Sequence, residues 1–237
     1  MELLKRISGY TLISAVTGAI SFLLLPILTS YLTPEDYGVL SIFNASTRFL
    51  AALIPLGIGN LLLVYLIEKK EEYPIYLKAF VKITFTLGVI LTMVIAIAKF
   101  FISDFFGLPF ILTLSLPFIA LLVVYYETIT SYFIYLKQFK NYAKLTLSKF
   151  FIEIVLVITL VIIFPFNWEG RISAVVISLI LIVFYGVYFF KKNKILHLKI
   201  KTNNHSKKLI KKGFPLIFMG IAIMIINLSD RFFIEYY

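Results

Sequence analysis

The sequence has no cysteine, one tryptophan, two histidines, and only 12 acidic residues against 23 basic ones. Without cysteine there is no disulfide, no thiolate metal site and no cysteine nucleophile, and the redox compartment stays undecided. Neither histidine falls in an apolar run and no acids are paired at metal-ligand spacing, so no metal site is expected. The charged loops contain no P-loop and no glycine-rich phosphate cradle, which leaves no nucleotide site and no ATP-driven step within the chain. The chain is therefore expected to need no cofactor and not to be an enzyme. His197 and His205 stand in a lysine-rich segment and read as solvated loop residues. Charge itself is missing over long stretches, and Gly9 to Leu32 carries none at all.

What fills those stretches sets the class. The chain is 61% hydrophobic and 15% charged, with 24 Phe and 15 Tyr, and its mean hydropathy is +0.98. Soluble domains are roughly 45–50% apolar and about 25% charged, so this composition cannot be hidden inside a water-soluble fold. An all-α, polytopic membrane helix bundle is expected. A net charge of +11 would point to nucleic acid if the bases formed one folded face, but they lie between apolar runs, so no nucleic-acid partner is expected.

Spans are expected over about Gly9–Leu32, Val39–Ile67, Phe80–Ile102, Leu108–Tyr135, Leu145–Phe164, Ile172–Phe190 and Gly213–Ile234. Each is close to or longer than the ~20 apolar residues that cross ~30 Å of hydrocarbon. Pro26 should bend the first, and Pro55 with Gly57 and Gly59 should kink the second. Between those two, Thr33-Pro34-Glu35-Asp36-Tyr37-Gly38 reads as a turn outside the hydrocarbon. Lys5-Arg6 resembles the start of a signal peptide, but the run that follows is too long and lacks a small-residue cleavage site, so a retained first span is expected. Phe166-Asn167-Trp168 looks like an interfacial aromatic anchor.

The bases orient the bundle. Lys5, Arg6, Lys69, Lys70, Lys78, Lys82, Lys137, Lys140, Lys144, Lys149 and every lysine from Lys191 to Lys212 fall on the side of the N-terminus, while Lys99 and Arg171 fall opposite. The positive-inside rule then makes the N-terminus cytoplasmic and the C-terminus of this chain external, in a multi-pass protein of the plasma (inner) membrane.

Charges inside spans are the default place to look for function, since an Arg at mid-helix costs about 2.5–3.5 kcal/mol to insert. Arg48 lies about 15 Å along its helix from Gly38, near mid-bilayer. Ser41, Asn44 and Arg48 recur at i, i+3 and i+7, a polar stripe continued by the small positions Ala52, Pro55 and Gly59. That face would line water or a partner helix. Against this stands a reading in which Phe49–Ile67 spans alone and Arg48 snorkels to the outer surface. Ser14, Gly18 and Ser21 form a small stripe suited to close helix packing or, less simply, to a ligand. Glu153 stands four residues after Lys149, which an i, i+4 ion pair near the interface explains; a coupling-ion site is the other reading. Glu127 is expected at an interface and Lys82 and Lys99 are expected to snorkel. Asn227, Asp230 and Arg231 share one face of the last span and serve either as anchors or as cavity lining.

Three stretches carry a family resemblance. They are Leu24-Leu25-Pro26-Ile27-Leu28-Thr29-Ser30-Tyr31-Leu32-Thr33-Pro34-Glu35-Asp36-Tyr37-Gly38, Lys137-Gln138-Phe139-Lys140-Asn141-Tyr142-Ala143, and Gly213-Phe214-Pro215-Leu216 through Asn227-Leu228-Ser229-Asp230-Arg231-Phe232-Phe233-Ile234. Together they resemble the polysaccharide biosynthesis (O-antigen type) flippases, of the superfamily shared with the multidrug and toxin extrusion transporters. The resemblance covers essentially the whole chain. It implies two six-helix lobes that rock to open a central cavity to each side in turn, and a secondary transporter that moves undecaprenyl-diphosphate-linked oligosaccharide between leaflets. On that view residues 1–190 are the first six-helix lobe, 191–212 a basic cytoplasmic interlobe linker, and 213–237 the first helix of a second lobe. Lys5-Arg6 before Gly9 is echoed by Lys211-Lys212 before Gly213. The chain is shorter than the family pattern, so it is expected to need a second lobe or a partner chain supplying one, and not to flip lipid alone. Its partners would be membrane lipid and the lipid-linked oligosaccharide, with Arg48 pairing with the diphosphate in a cavity whose candidate lining is Arg48, Asn44, Ser41, Asn227, Asp230 and Arg231. The alternatives are a drug/cation antiporter of the same superfamily, which needs an acidic cavity where the first-lobe spans offer no deeply placed Asp, a membrane-embedded lipid-linked sugar transferase or polymerase, and a remnant that transports nothing.

Overall fold

A computed structural model describes residues 2–98, 108–196, 205–216, 218 and 222. Its elements in chain order are α1 (Glu2–Thr29), α2 (Pro34–Leu53), α3 (Ile58–Glu68), α4 (Tyr73–Ala98), α5 (Phe110–Tyr135), α6 (Phe139–Val157) running into a π-helical turn at Ile158–Ile163, and α7 (Asn167–Lys192). An eighth helix, α8, covers 205–216. No strand occurs among the described residues, so the fold is all-α as composition demanded. Five helices are long and apolar enough to cross a membrane, and α2 with α3 makes a sixth if that bent pair is one span. The protein is thus a multi-pass membrane helix bundle.

The chain divides into two compact units. One contains Met1–Phe43 and Tyr125–Tyr188, the other Asn44–Val124 and Phe189–Tyr237. In the first, α1 packs on α6: the Tyr10 ring stands edge-on to Phe139 at 5.3 Å and against Tyr142 at 5.1 Å. Helix α7 closes on α5 where Gly186 meets Ile129. In the second, α3 and α4 form a hairpin whose Tyr65 and Tyr76 rings stack at 3.8 Å, and α4 meets α5 where Gly88 faces Leu121.

Two local devices set the course of α2. Its N-terminus is a reciprocal cap: the Thr33 N–H donates to Asp36 Oδ2 at 2.8 Å, and the Asp36 N–H donates to Thr33 Oγ1 at 3.2 Å. Pro34 takes the first helical position, where its missing N–H costs nothing, and Glu35 and Asp36 put negative charge at the positive end of the helix. The Thr-Pro-Glu-Asp string is thus a helix start as much as a turn. At the other end Pro55 cannot donate a hydrogen bond, and Leu56 and Gly57 both adopt positive φ, 48° and 69°. Helix α3 restarts at Ile58 with a bend of 53° from α2. The expected kink is therefore a break, and Gly59 falls inside α3 rather than in the bend.

Gly57 is required there for a second reason. A Cβ on it would stand 2.7 Å from the Gly213 carbonyl oxygen and from Leu216 Cβ of α8. Gly213 in turn abuts Ile58 and the Leu56 carbonyl. Backbone lies on backbone at this crossing, and Leu209, Ile54 and Ile58 are buried. Helix α8 begins by residue 205, two turns ahead of the Gly213 start expected for the last span. Residues 99–102 of the expected third span, and most of Gly213–Ile234, lie outside the described residues.

Candidate transport site

The spacing of Ser41, Asn44 and Arg48 translates directly into one helix face. All three are exposed on α2, as is Ala52, while Leu40, Phe43, Thr47, Leu50 and Ala51 on the other sides are buried. Among the described residues Arg48 has no hydrogen-bond or ion-pair partner. At 1.5 Å per residue it lies about 20 Å along α2 from Pro34, close to the middle of the broken α2–α3 path. The stripe stops at the break, since Pro55 and Gly59 are half-buried.

The small stripe of α1 behaves differently from close helix packing. Ser14 and Gly18 are exposed, and nothing lies within 4 Å of a Cβ on Gly18. The Ser21 side chain lies outside the described residues, as do Asn227, Asp230 and Arg231. Glu127 is exposed on α5 and Lys82 on α4.

Glu153 does form the expected ion pair. Lys149 Nζ is 2.6 Å from Glu153 Oε2, but Arg171 Nη1 stands 2.8 Å from Oε1 as well. Three side chains, only 11%, 16% and 23% exposed for Glu153, Lys149 and Arg171, thus tie α6 to α7. Arg171, read from sequence as a base of the far surface, turns back into the bundle. The cause is local. After the π turn the Phe166 N–H donates to the Leu160 carbonyl at 3.0 Å, and a Cβ on Gly170 would be 2.9 Å from that same oxygen. Helix α7 therefore starts level with Leu160, and the guanidinium of Arg171 reaches Glu153. The signal available in sequence was the glycine immediately before Arg171. With both carboxylate oxygens held by fixed cations, Glu153 could take a metal cation only by giving up an ion pair. Lys149 also lies over the Tyr126 ring at 5.7 Å, and Lys144 over Tyr185 at 5.3 Å.

His205 is not a solvated loop residue. It is half-buried at the start of α8, edge-on to Tyr76 with ring centroids 5.2 Å apart. His197 lies outside the described residues. Among the described residues no three His, Cys, Asp or Glu side chains cluster as a metal site.

The model of the polysaccharide biosynthesis protein family matches residues 3–237. The chain belongs to that family. Comparison with curated proteins gives no match. Among solved structures this family member is similar in fold to a MATE protein determined as its P26A mutant, with a TM-score of 0.56 and 17% identity. That likeness covers 94% of this chain and 53% of the MATE chain, so the family member spans about half the length of its structural relative.

Proposed function

We propose that the protein contributes the first lobe of a flippase-type transporter that moves undecaprenyl-diphosphate-linked oligosaccharide from the cytoplasmic to the outer leaflet for surface polysaccharide synthesis. The observation that carries this reading is the exposed Ser41–Asn44–Arg48 face, cationic and near the middle of a broken span, in a chain of the polysaccharide biosynthesis family. Arg48 would pair with the carrier's diphosphate through charge-assisted hydrogen bonds, Asn44 and Ser41 would bond the remaining oxygens, and the polyprenyl tail would stay in lipid. Asn227, Asp230 and Arg231 enter this reading from the sequence alone, as further candidates for contact with the substrate. Glu153 takes part in ion coupling only where protonation or a competing cation releases it from Lys149 and Arg171.

In this reading residues 1–190 form the first lobe, 191–212 the interlobe connection, and 213–237 the opening helix of a second lobe that completes the cavity. The test is export of surface glycan by the full-length gene in a strain lacking its own flippase, with Arg48 variants compared at equal expression.

The orientation has its own check, made clean by the absence of cysteine. Asp36 is unsuitable for labelling because it is buried in the α2 cap, whereas Glu35, Glu71, Lys140 and Glu169 are exposed. In intact cells, Cys at Glu35 or Glu169 is expected to react with a membrane-impermeant maleimide, and Cys at Glu71 or Lys140 only after lysis. Reaction at Lys140 before lysis would reverse the orientation.

A further inference from the structure

We infer that Gly213 is a positioning residue for Arg48: the crossing of α8 over the α2–α3 break sets the direction in which α2 carries the guanidinium. The inference rests on the transport role proposed for Arg48 above. Arg48 stands about 9 Å before Ile54 along α2, so a change of angle at Pro55 to Gly57 swings it without disturbing its helix. The far side of the break is held firmly. The buried ring of Tyr76 on α4 takes Tyr65 of α3 face to face at 3.8 Å and His205 of α8 edge-on at 5.2 Å, so α3 and α8 lean on one side chain.

The break does not choose its own angle. Its hydrogen bonds, from the Leu56 N–H to the Leu53 carbonyl at 3.1 Å and from the Ile58 N–H to the Pro55 carbonyl at 2.8 Å, run within it and permit the turn. Leu56 has φ 48°, a conformation that a leucine keeps only where its surroundings fix it. Those surroundings include α8. A Cβ on Gly213 would stand 3.1 Å from the Leu56 carbonyl oxygen and 2.7 Å from Ile58 Cγ1, and the Gly213 carbonyl oxygen lies 2.7 Å from where a Cβ on Gly57 would be. Glycine at 213 lets the two backbones approach this closely, and that approach holds the 53° bend. In the proposed transporter α8 leads into the second lobe, so a shift of that lobe reaches Arg48 through this crossing.

The distance between nitroxide labels on cysteines placed at Ile42 and Ile67, exposed on α2 and α3, tests the inference. It is measured by pulsed electron resonance on the detergent-solubilised full-length protein, with any cysteine outside these 237 residues replaced by serine. Gly213→Val forces the backbones apart by roughly 2 Å and is expected to shift or broaden the label distance by about that amount. Gly213→Ala, the milder change, should give about half of it. Gly213→Val with Ile58→Ala moves the bulk from one side of the crossing to the other and should return the distance toward wild type. Gly88→Val, which crowds Leu121 where α4 meets α5, should leave it unchanged. Gly213→Val should also lower glycan export, and by a smaller factor in an Arg48→Lys protein than in wild type, because it acts through Arg48. A label distance unaffected by Gly213→Val, one changed equally by Gly88→Val, no recovery on adding Ile58→Ala, or equal factors in the two backgrounds would each overturn the inference. Normal export by Arg48→Ala would instead overturn the transport role of Arg48 and leave the measured bend standing.

Discussion

In the transporter proposed above, Arg48→Ala is expected to abolish glycan export while the protein still accumulates in the membrane. Arg48 is exposed on α2 with no partner among the described residues, so its removal breaks no internal contact that the structure shows. The loss would fall on the substrate. A hydrogen bond to a charged group contributes on the order of 2–3 kcal/mol, which is roughly 30- to 150-fold in affinity. Arg48→Lys keeps the charge but loses the planar two-pronged donor, and should retain part of the export. Asn44→Ala and Ser41→Ala, each removing one neutral donor, should reduce export by about tenfold or less. The measurement is surface glycan per copy of protein in the flippase-deficient strain. Unchanged export by Arg48→Ala would move Arg48 from the transport path to the snorkelling role that its distance from the outer surface also permits.

Glu153→Gln is expected to be the most destabilising single change in the α6–α7 pair. It leaves Lys149 and Arg171, both mostly buried, without their common counter-ion. Removing one partner of a buried ion pair costs about 3–5 kcal/mol, and the partial exposure of the two cations puts the value here near the lower end, about 3 kcal/mol. Arg171→Met and Lys149→Met should each cost less, because Glu153 keeps the other cation in both. Melting of the detergent-solubilised protein, followed by aggregation, gives the order. A Glu153→Gln protein as stable as wild type would mean that the three charges are solvated independently of one another.

The two variants also differ in what they leave intact. Arg48→Ala should lower export without lowering the melting temperature, and Glu153→Gln should lower the melting temperature first. That separation assigns Arg48 to ligand recognition and Glu153 to the tie between α6 and α7.

The elements were legible in the sequence to the extent that one chain segment decides them alone. A long run that is predominantly apolar is expected to span even where it carries an isolated charge, so α1, α4, α5, α6 and α7 lie close to where composition put them. The i, i+3, i+7 arithmetic that put Ser41, Asn44 and Arg48 on one face needs only a helix, and α2 is one. The Lys149–Glu153 pair is likewise a property of one helix. What escaped the sequence depends on two segments meeting. Arg171 reaches Glu153 only because the π turn and Gly170 let α7 begin against Leu160. His205 finds Tyr76, and Gly213 finds Gly57, only once α8 is laid on the α2–α3 break. The break shows both sides of this rule. Pro55 announced a bend, whereas the positive φ at Leu56 and Gly57 and the restart at Ile58 belong to the packing around them.

The central claim is that the Ser41–Asn44–Arg48 face borders water within the membrane. The most direct measurement is reactivity of single cysteines, introduced into these 237 cysteine-free residues, toward a small hydrophilic maleimide, with any cysteine elsewhere in the assembled transporter replaced by serine. Cys at Asn44 and at Ala52 should react, and reaction at Asn44 should slow in membranes enriched in the lipid-linked glycan. Cys at Phe85 or Met93, exposed on the apolar surface of α4, should stay silent. Silence at Asn44 and Ala52 equal to that at Met93 would contradict the account, because the stripe would then face lipid.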